Sequence, residues 1–462
     1  MADTMPDPSR DGERDDQDAL PTELFEEIRA AVEAGDAGAA AAAVAELHAA
    51  DLADLVEQLS PGRRKALLEL VWDRIDHDFL AELEEGVRDA VLEELEPARL
   101  AEALRTLDSD DVVYLLGDLE EEAQAELLDA LEPGERAAVS RSLTYPEYSA
   151  GRLMQSEVVK APGFWTVGQM IDELRANDRL PDQFYDVIVV GPAMRPLGKI
   201  PLSALLTHPR PVTLESLMGG EPYTVHVEDS QEDVAYAFNQ YHLVSCPVVD
   251  DDGRLAGVIT IDDAMEALDE EAEEDIKRLG GVGDEEISDG VMAITRRRFP
   301  WLAVNLVTAV VASGVIALFD AVIGQIVALA VLMPIVASMG GNAGTQTLTV
   351  AVRALATRDL TLANMARVVG REAAVGLANG IGFAVLVGAI SWLWFGDAGI
   401  AGVIALAMIG TMVAAGLAGI LIPIGLDRLK VDPALGSGAF VTTVTDVVGF
   451  FAFLGLATLL LM

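Results

Sequence analysis

One acidic residue, Asp446, lies within a long apolar stretch, 433–462, that carries no other charge. A charge at the centre of a bilayer costs about 2.5 to 3.5 kcal/mol on insertion scales, so this carboxylate should face a polar cavity or an opposite charge. No Lys or Arg lies within any apolar stretch of the chain, which argues against a salt bridge. Thr442 and Thr443 add oxygen atoms nearby, although a Thr in a membrane helix often bonds only its own backbone. The pattern predicts a polar path for a cation.

A lone carboxylate on such a path favours Mg²⁺. This ion gives up its water reluctantly and is usually held by one or two carboxylates while it keeps several waters. In a homodimer, two copies of Asp446 would face each other if the symmetry axis passed beside them, and the sequence alone does not place that axis. We therefore predict Mg²⁺ as the transported ion, with Asp446, Thr442 and Thr443 as its candidate contacts.

Five apolar stretches are long enough to cross a membrane, because a spanning helix needs about 20 apolar residues. They are residues 299–319, 321–352, 373–396, 398–426 and 433–462. Basic residues tend to stay on the cytosolic side. Here they precede the first stretch and fill the second and fourth connections, at Arg296, Arg297, Arg298, Arg353, Arg358, Arg367, Arg371, Arg428 and Lys430. This distribution predicts a multi-pass protein of the cell membrane, with its N-terminus in the cytosol and its C-terminus outside.

The charge of the chain is divided sharply. Residues 299–462 hold six basic and seven acidic residues, so almost all of the net charge of −44 lies before them. Such acidity suits either a binding partner or a solvated surface in a salt-tolerant organism. Nothing in residues 1–18 resembles a secretory signal. Cys246 is the only cysteine, which excludes an intrachain disulfide and fits a reducing compartment. We expect an acidic cytosolic part without a nucleic-acid partner.

A helical domain is predicted at the start of this acidic part. Residues 1–19 are interpreted as a disordered acidic tail. After them an apolar residue recurs every 12 positions, as short helices stacked in a solenoid would require. These residues are Leu59, Val71, Leu83, Leu95, Leu107, Leu119 and Leu131. Pro61, Ser109 and Pro133 stand where helices should begin. The pattern indicates an all-α superhelical domain over 20–147.

Short β runs with helices between them follow, and their order repeats about 66 residues later. The second copy contains a hairpin whose turn is Asp251-Asp252-Gly253. This pattern resembles a tandem pair of α/β modules of the cystathionine-β-synthase (CBS) type over residues 148–262. The first copy departs from the pattern at 191–196, where Gly-Pro-Ala-Met-Arg-Pro replaces the usual acidic turn with glycine.

An acidic connecting helix should join the soluble part to the membrane domain, 299–462. Residues 264–279 favour a helix and are dense in Glu and Asp, and a glycine-rich joint, 280–283, follows. The connecting, or plug, helix is assigned to 263–298. A rigid rod that links a sensor to a pore and a solvated linker helix both fit this pattern.

Residues 334–346 of the second apolar stretch include a proline, several glycines and two side-chain amides. They are Pro334, Gly340, Gly341, Asn342, Gly344 and Gln346. Such residues weaken a helix and let neighbouring backbones approach closely. The segment is therefore predicted to be a helix crossing or a part of the pore lining.

Four motifs in the membrane domain resemble the MgtE family of Mg²⁺ channels. They are the run 334–346, Arg353-Ala354-Leu355-Ala356-Thr357-Arg358-Asp359-Leu360, Asp432-Pro433-Ala434-Leu435 and Thr445-Asp446-Val447-Val448-Gly449. With Ser149-Ala150-Gly151-Arg152-Leu153-Met154 before the CBS pair, the resemblance covers nearly the whole chain. It implies a homodimer with the pore between the subunits, in which Asp446 matches the selectivity carboxylate. Gly438 stands where some members carry an asparagine.

The same resemblance implies a cytosolic Mg²⁺ sensor built from acidic residues. The matching positions are Glu232, Asp263, Glu266, Glu271, Glu274, Asp275, Asp110 and Asp111. Clustered carboxylates repel, and a divalent cation that bridges them favours a compact arrangement, so high cytosolic Mg²⁺ would close the pore. Thr260-Ile261-Asp262-Asp263 resembles the CBS motif that holds a nucleotide ribose. ATP bound at Thr260 and Asp263 is therefore a further expectation.

Other functional classes fit the sequence less well. All five histidines lie before the membrane domain and no His-Glu-x-x-His motif occurs, so an intramembrane metalloprotease, and enzymatic activity in general, is not expected. A chloride path would be expected to show basic or amide-rich helix ends. A secondary carrier that couples a divalent cation such as Mg²⁺, Co²⁺ or Mn²⁺ to another solute remains the alternative to a channel.

Overall fold

The computed structural model describes residues 22–117, 119, 121–177, 180–181, 183–283, 285 and 290–462. The acidic tail predicted at 1–19 lies outside these residues. The chain divides into two compact units after Leu268, and the second runs from Asp269 to Met462.

Short helices make up the first part of the first unit. They are α1 (Thr22–Ala34), α2 (Ala37–Val44), α3 (Ala49–Gln58), α4 (Pro61–Val71), α5 (Glu85–Glu94), α6 (Pro97–Ala103), α7 (Ser109–Gly117), α8 (Glu121–Ala130) and α9 (Pro133–Ser142). Three of them begin with a proline, at Pro61, Pro97 and Pro133. Proline suits this position because the first N–H groups of a helix have no partner within it. The helix starts expected at Pro61, Ser109 and Pro133 are confirmed.

The apolar residues of the 12-position period lie in one core. Leu59, Val71, Leu83 and Leu131 are buried, and Leu95, Leu107 and Leu119 pack against them. Helices of this length are marginal on their own, so a shared apolar interior is what stabilises them. The all-α class predicted for this part of the chain is confirmed.

Two small sheets follow the helices. Their strands are β1 (Lys160–Pro162), β2 (Asp186–Val190) and β3 (Pro196–Pro201), then β4 (Val225–His226), β5 (Ser245–Val249) and β6 (Leu255–Thr260). The associated helices are α10 (Ala150–Leu153), α11 (Val167–Ala176), α12 (Leu202–Thr207), α13 (Leu214–Leu217) and α14 (Gln231–Tyr241). In both sheets the first strand pair is parallel and the second is antiparallel. The shared topology is that of the predicted tandem pair.

The first hairpin forms despite its unusual turn. Ala193 and Met194 both adopt a φ of 61°, a left-handed conformation that is uncommon for residues with a side chain. In the second hairpin the left-handed conformation of the turn is adopted by Gly253, with a φ of 71°. The register of both hairpins shifts at the end of the middle strand, after Val189 and after Val248. The departure at 191–196 therefore changes the turn and leaves the pairing of the strands intact.

A long acidic helix, α15 (Ile261–Gly280), follows β6 directly. Asp262 and Asp263 lie in its first turn and Lys277 and Arg278 in its last, as the helix dipole favours. After it, Gly281 adopts a φ of 71°, which allows the chain to leave the helix. The connecting segment assigned to 263–298 thus contains α15 from Asp263 onward, the glycine joint and the first turns of the next helix, whereas α15 itself begins two residues earlier, at Ile261.

The part of the second unit from 290 to 462 contains five helices that are long and apolar enough to cross a membrane. They are α16 (Val291–Ala317), α18 (Ala328–Ala356), α19 (Met365–Phe395), α20 (Ala398–Arg428) and α21 (Ser437–Leu461). A short helix, α17 (Asp320–Gln325), precedes α18. The five predicted spans are present, with one correction. Residues 321–327, predicted as the start of the second span, lie outside α18 because the backbone turns at Ile326.

Glycines determine how closely these helices pack. A Cβ on Gly376 of α19 would lie 2.7 Å from the carbonyl oxygen of Met412 in α20. One on Gly419 of α20 would lie 2.6 Å from the carbonyl oxygen of Gly344 in α18. Small residues permit such close approaches of two backbones. Pro334 lies inside α18, which continues through it as one helix.

Candidate functional site

Asp446 lies near the middle of α21, and its side chain lines a cavity of about 390 Å³ within the second unit. The cavity is open on one side and is lined by residues of α16, α18, α21 and the end of α15, and by Gly281 and Gly436. Its uncharged polar lining consists of Asn305, Thr308, Thr345, Thr349 and Thr442. Within the described part of the chain, the carboxylate of Asp446 has no hydrogen bond or ion pair. The carboxylate is therefore available to a cation, and its role as an ion ligand stays a prediction.

Four of these lining residues were not predicted. Asn305 and Thr308 belong to α16, and Thr345 and Thr349 belong to α18. Each pair is separated by three or four positions, so its members share one face of their helix. A polar pair at this spacing in an apolar span is a signal that sequence reasoning could have used.

The two threonines predicted beside Asp446 differ in their surroundings. Thr442 lines the cavity. The hydroxyl of Thr443 donates a hydrogen bond to the carbonyl oxygen of Ala439 at 2.6 Å, and Thr443 is not part of the cavity lining. Thr445 is buried and donates to the carbonyl oxygen of Thr442 at 2.9 Å. The backbone competition expected for threonines in a span thus holds for Thr443 and Thr445.

The glycine-rich run of α18 separates into packing and exposed residues. A Cβ on Gly340 would lie 2.7 Å from Thr411 Cγ2, and one on Gly344 would lie 2.6 Å from Val441 Cγ1. These two glycines therefore serve the packing of α18 against α20 and α21. Asn342 and Gln346 are exposed in the single chain. None of Pro334, Gly340, Gly341, Asn342, Gly344 and Gln346 lines the Asp446 cavity.

A charged group lies at the end of α15, where this helix borders the cavity. Arg278 lines the cavity and forms ion pairs with Glu274 and with Asp432, in the segment before α21. Burial, and next the charge of Asp432, raises the pKa of Asp275 above its usual range, while Arg353 lowers it. Glu274 and Asp275 were predicted as sensor residues. Asp432 had been noted only as part of a motif, and Arg278 had not been predicted.

Within the first unit, a second acidic group forms between α7 and the start of α15. Asp110 and Asp111 of α7 interact electrostatically with Asp263 of α15, and Asp111 also interacts with Glu266. Burial, and next the charge of Asp263, raises the pKa of Asp111 to about 8 and that of Asp110 well above its usual range. Burial raises the pKa of Asp263 to about 6, although hydrogen bonds from Thr260 oppose this. Four predicted sensor residues are thus close enough to repel one another.

This acidic group suits a hydrated ion better than a bare one. In the part of the chain that the structure describes, no group of three or more His, Cys, Asp or Glu side chains is arranged to hold a metal ion directly. Mg²⁺ keeps several waters and needs only one or two carboxylates. Glu232 lies apart in sequence, in the first turn of α14, and Glu271 lies on α15. The participation of both stays a prediction.

The nucleotide motif is folded into the start of α15. One oxygen of Asp263, Oδ2, accepts hydrogen bonds from the backbone N–H of Thr260 at 3.2 Å and from its hydroxyl at 2.6 Å. These bonds fix the orientation of the carboxylate. Asp263 thus belongs both to the nucleotide motif, through its hydrogen bonds with Thr260, and to the acidic group with Asp110 and Asp111.

Comparisons with known proteins cover most of the chain. A family model described as a divalent cation transporter, MgtE, matches residues 333–456, that of the MgtE intracellular N domain matches 47–148, and that of the CBS domain matches 214–270. The chain is 30% identical over 409 residues to the magnesium transporter MgtE of Bacillus subtilis (strain 168), covering 88% of this chain and 91% of that protein. It is 35% identical over 321 residues to the magnesium transporter MgtE of Thermus thermophilus, covering 69% and 71%. Among solved structures, the cytosolic domain of the Mg²⁺ channel MgtE in complex with ATP is 29% identical, covers 53% of this chain and 100% of that chain, and has a TM-score of 0.49.

Proposed function

Since the chain belongs to the MgtE family and is a Mg²⁺ transporter of that family, we propose that it is a Mg²⁺ channel in which Asp446 binds the passing ion. The observation that carries this proposal is the carboxylate of Asp446, unpaired among the described residues, in a polar cavity of about 390 Å³. A charge held in an apolar domain without a partner is costly, and a passing cation offsets that cost.

The lining favours an ion that keeps part of its water. Hydroxyl and amide groups, such as those of Thr442 and Asn305, exchange hydrogen bonds with water and carry no charge that would hold the ion permanently. One carboxylate adds the attraction, and Mg²⁺ is the ion most often bound in this way, with several waters retained. A site of this kind binds weakly enough to release the ion, which a channel requires.

We propose that two chains form the channel as a homodimer. Mg²⁺ is usually bound by one or two carboxylates, and a second copy of Asp446 across a two-fold axis would supply the second one. The exposed amides of Asn342 and Gln346 on α18 support this, because polar groups in a span are favoured against protein rather than lipid. We propose that this dimer lies in the cell membrane with its N-terminus in the cytosol, which the arginines beside the spans support.

Closure by cytosolic Mg²⁺ is the second part of the proposal. Asp110, Asp111 and Asp263 are buried near one another, and burial first and the charge of Asp263 next raise the pKa values of Asp110 and Asp111. A hydrated Mg²⁺ between α7 and α15 would relieve the repulsion among these carboxylates and stabilise the closed form. Asp263 lies near the start of α15, and Arg278, which borders the cavity, lies near its end. The helix α15 therefore carries both a residue of the acidic group and a residue of the cavity lining. The pair of Thr260 and Asp263 supports ATP as an additional regulator.

Electrical recording from membrane patches tests conduction and closure together. Wild type is expected to give single-channel currents carried by Mg²⁺ alone, and millimolar-range internal Mg²⁺ should close it. Asp446→Asn keeps the size of the side chain and removes the charge, so Mg²⁺ current should be lost. Asp320→Asn, at the start of α17, is the matched control and should conduct like wild type.

The same recordings separate the alternatives. Mg²⁺ movement that requires a gradient of a second solute would identify a carrier and refute the channel. Conduction by Asp446→Asn at the level of wild type would refute the pore assignment. If Asp111→Asn combined with Asp263→Asn leaves closure by internal Mg²⁺ unchanged, the sensor assignment is wrong even if conduction depends on Asp446.

A further inference from the structure

A second cavity of the membrane domain lies where α18 ends and α19 begins. Its volume is about 440 Å³, and it is bounded by α18, α19, α20 and the loop 357–364. None of its lining residues belongs to the Asp446 cavity. The proposals for ion passage and closure therefore leave it without a role.

The position of this cavity corresponds to the headgroup region of a membrane. Arg367 lies in the first turn of α19, at the end of a spanning helix. Val350 and Ala351 of α18 and Ile420 of α20 line the cavity one to two turns further in. At 1.5 Å of rise per residue, these apolar side chains lie in the outer part of the hydrocarbon layer. The lining is thus charged at the outer end and apolar further in, and a phospholipid likewise has a charged headgroup and apolar acyl chains.

The charged end of the lining holds two arginines, Arg367 and Arg371, and two carboxylates, those of Asp359 and Glu372. Arg367 and Arg371 both line the cavity and are four positions apart on α19, so they share one face of the helix. Like charges at this spacing repel each other. An anion that contacts both would remove that repulsion.

The available counter-charge is incomplete. Arg371 donates two hydrogen bonds of 3.1 Å to Glu372 Oε1, and its side chain is still 61% exposed. Within the described residues, Arg367 has no ion-pair partner. The guanidinium fork suits phosphate oxygens, which can accept two parallel hydrogen bonds. Arg367, and the exposed side of Arg371, are therefore donors without an acceptor that matches them.

The loop that forms the rim is already ordered by its own hydrogen bonds. Asn364 accepts from the backbone N–H of Thr361 at 2.9 Å and donates to the carbonyl oxygen of Asp359 at 2.7 Å. The carboxylate of Asp359 accepts from the hydroxyl of Thr357 at 2.8 Å. Asp359 is thus held by the loop, and the cavity is formed before any ligand enters it.

We propose that this cavity binds a membrane phospholipid, with its phosphate on Arg367 and Arg371 and the start of an acyl chain against Val350, Ala351 and Ile420. Arginines between spanning helices can bind lipid headgroups, and here Asp359 is engaged by Thr357 and Glu372 by Arg371, which leaves Arg367 to bind the phosphate. A soluble phosphate offers the same charge but would leave the apolar part of the lining in contact with water. The lipid accounts for both parts.

Native mass spectrometry of the full-length protein in detergent tests the proposal. The probes are phosphatidylglycerol, diacylglycerol with the same acyl chains, and inorganic phosphate. Wild type is expected to bind phosphatidylglycerol and to bind diacylglycerol much more weakly. Arg367→Gln combined with Arg371→Gln should weaken phosphatidylglycerol binding about tenfold or more, since two charge-assisted hydrogen bonds are lost. Arg296→Gln combined with Arg297→Gln removes the same charge from α16 and should leave binding unchanged.

Several outcomes would overturn the proposal. Equal binding of diacylglycerol would exclude recognition of the phosphate, and displacement of the lipid by inorganic phosphate would assign the cavity to a soluble anion. An equal loss of binding in the α16 variant would show only a general attraction of arginines for lipid. Arg367→Gln alone keeps the hydrogen bonds between Arg371 and Glu372, so it provides a folded variant if the double one is unstable. Unchanged lipid affinity in that variant would refute the role of Arg367.

Discussion

Arg278, in the last turn of α15, forms an ion pair with Asp432, in the segment between α20 and α21. The same guanidinium pairs with Glu274 one turn earlier. Because Arg278 also lines the Asp446 cavity, a fixed positive charge stands beside the path proposed for a cation. Its two acidic partners hold it in that position.

Replacing this arginine should increase the flux of Mg²⁺. With Arg278→Gln, the cavity loses a positive charge and Asp432 and Glu274 lose their partner, so the local potential becomes more negative. In a medium of intermediate dielectric, removal of one charge from the cavity lining corresponds to about a two- to tenfold change in local ion occupancy. Uptake of Mg²⁺ into liposomes, followed with an internal Mg²⁺-sensitive dye, measures the effect.

Lys277→Gln is the control for that experiment. Lys277 is the neighbouring basic residue on α15, pairs with Glu273 at 2.9 Å and does not line the cavity. The Lys277→Gln substitution removes the same charge from the same turn of α15 and should change the Mg²⁺ flux little. If both variants raise flux equally, the effect comes from the general charge of α15, and the specific role of Arg278 is wrong.

The polar lining of α16 should matter for conduction. In Asn305→Leu the side-chain amide is replaced by an apolar group of similar size, so water around the ion loses a hydrogen-bond partner. A lost partner costs about 1 to 3 kcal/mol, which predicts a fall in Mg²⁺ flux of about fivefold or more. Ser313→Ala is the control, because Ser313 lies on the same helix, donates to the carbonyl oxygen of Ala309 at 2.8 Å and is outside the lining. Normal flux in the Leu variant would remove Asn305 from the ion path.

These residues differ in how far the sequence predicts them. Asp446 can be singled out because a charge within an apolar stretch is costly whatever its neighbours are. The five spans follow from hydropathy and length in the same way. Asn305 gives a weaker signal: its spacing with Thr308 indicates a polar helix face, which is as compatible with packing as with a pore. Only the arrangement of the helices places it beside Asp446.

Other features depend on tertiary packing and could not be predicted. Arg278 and Asp432 are 154 positions apart, and no local pattern links them. Residues 321–327 are as apolar as the span that follows, and hydropathy does not reveal that the backbone turns at Ile326. The proximity of Asp111 and Asp263 is an expectation that comes only from the family resemblance. Their electrostatic interaction requires α7 and α15 to lie side by side. The periodicity of the sequence does not predict which helices are neighbours.

The acidic group between α7 and α15 predicts a dependence of stability on pH. Asp111 has a pKa of about 8 in the folded chain, raised first by burial and next by Asp263, whereas an unfolded Asp titrates near 4. Between these values the folded state binds more protons than the unfolded state, so stability falls as pH rises. The destabilisation of the folded state by ionised Asp111 is absent below about pH 4 and complete above about pH 8. In Mg²⁺-free buffer, protection of α7 from amide exchange, corrected for intrinsic rates, should therefore decrease from pH 5 to pH 8.

Two variants and one addition test the cause of that dependence. Asp111→Asn removes the group whose pKa is raised, so it should flatten the pH dependence of exchange in α7. Asp54→Asn, at an exposed position of α3, should leave the dependence unchanged. Added Mg²⁺ should protect α7 more strongly at pH 8 than at pH 6, because protons compete with the ion for the same carboxylates. Protection that does not vary with pH in wild type would contradict the predicted repulsion.

The packing of α19 against α20 should not tolerate even one additional methyl group at Gly376. In Gly376→Ala the new Cβ would lie 2.7 Å from the carbonyl oxygen of Met412 and 3.0 Å from the Cα of Val413, both backbone atoms of α20. The helices must separate, at a cost of about 1 to 3 kcal/mol, so the thermal unfolding midpoint of the purified protein should fall. Gly382→Ala lies on the same helix with no atom within 4 Å of its Cβ, and it should be neutral or slightly stabilising because alanine favours a helix. Equal midpoints for the two variants would mean that α19 and α20 do not pack as closely as Gly376 requires.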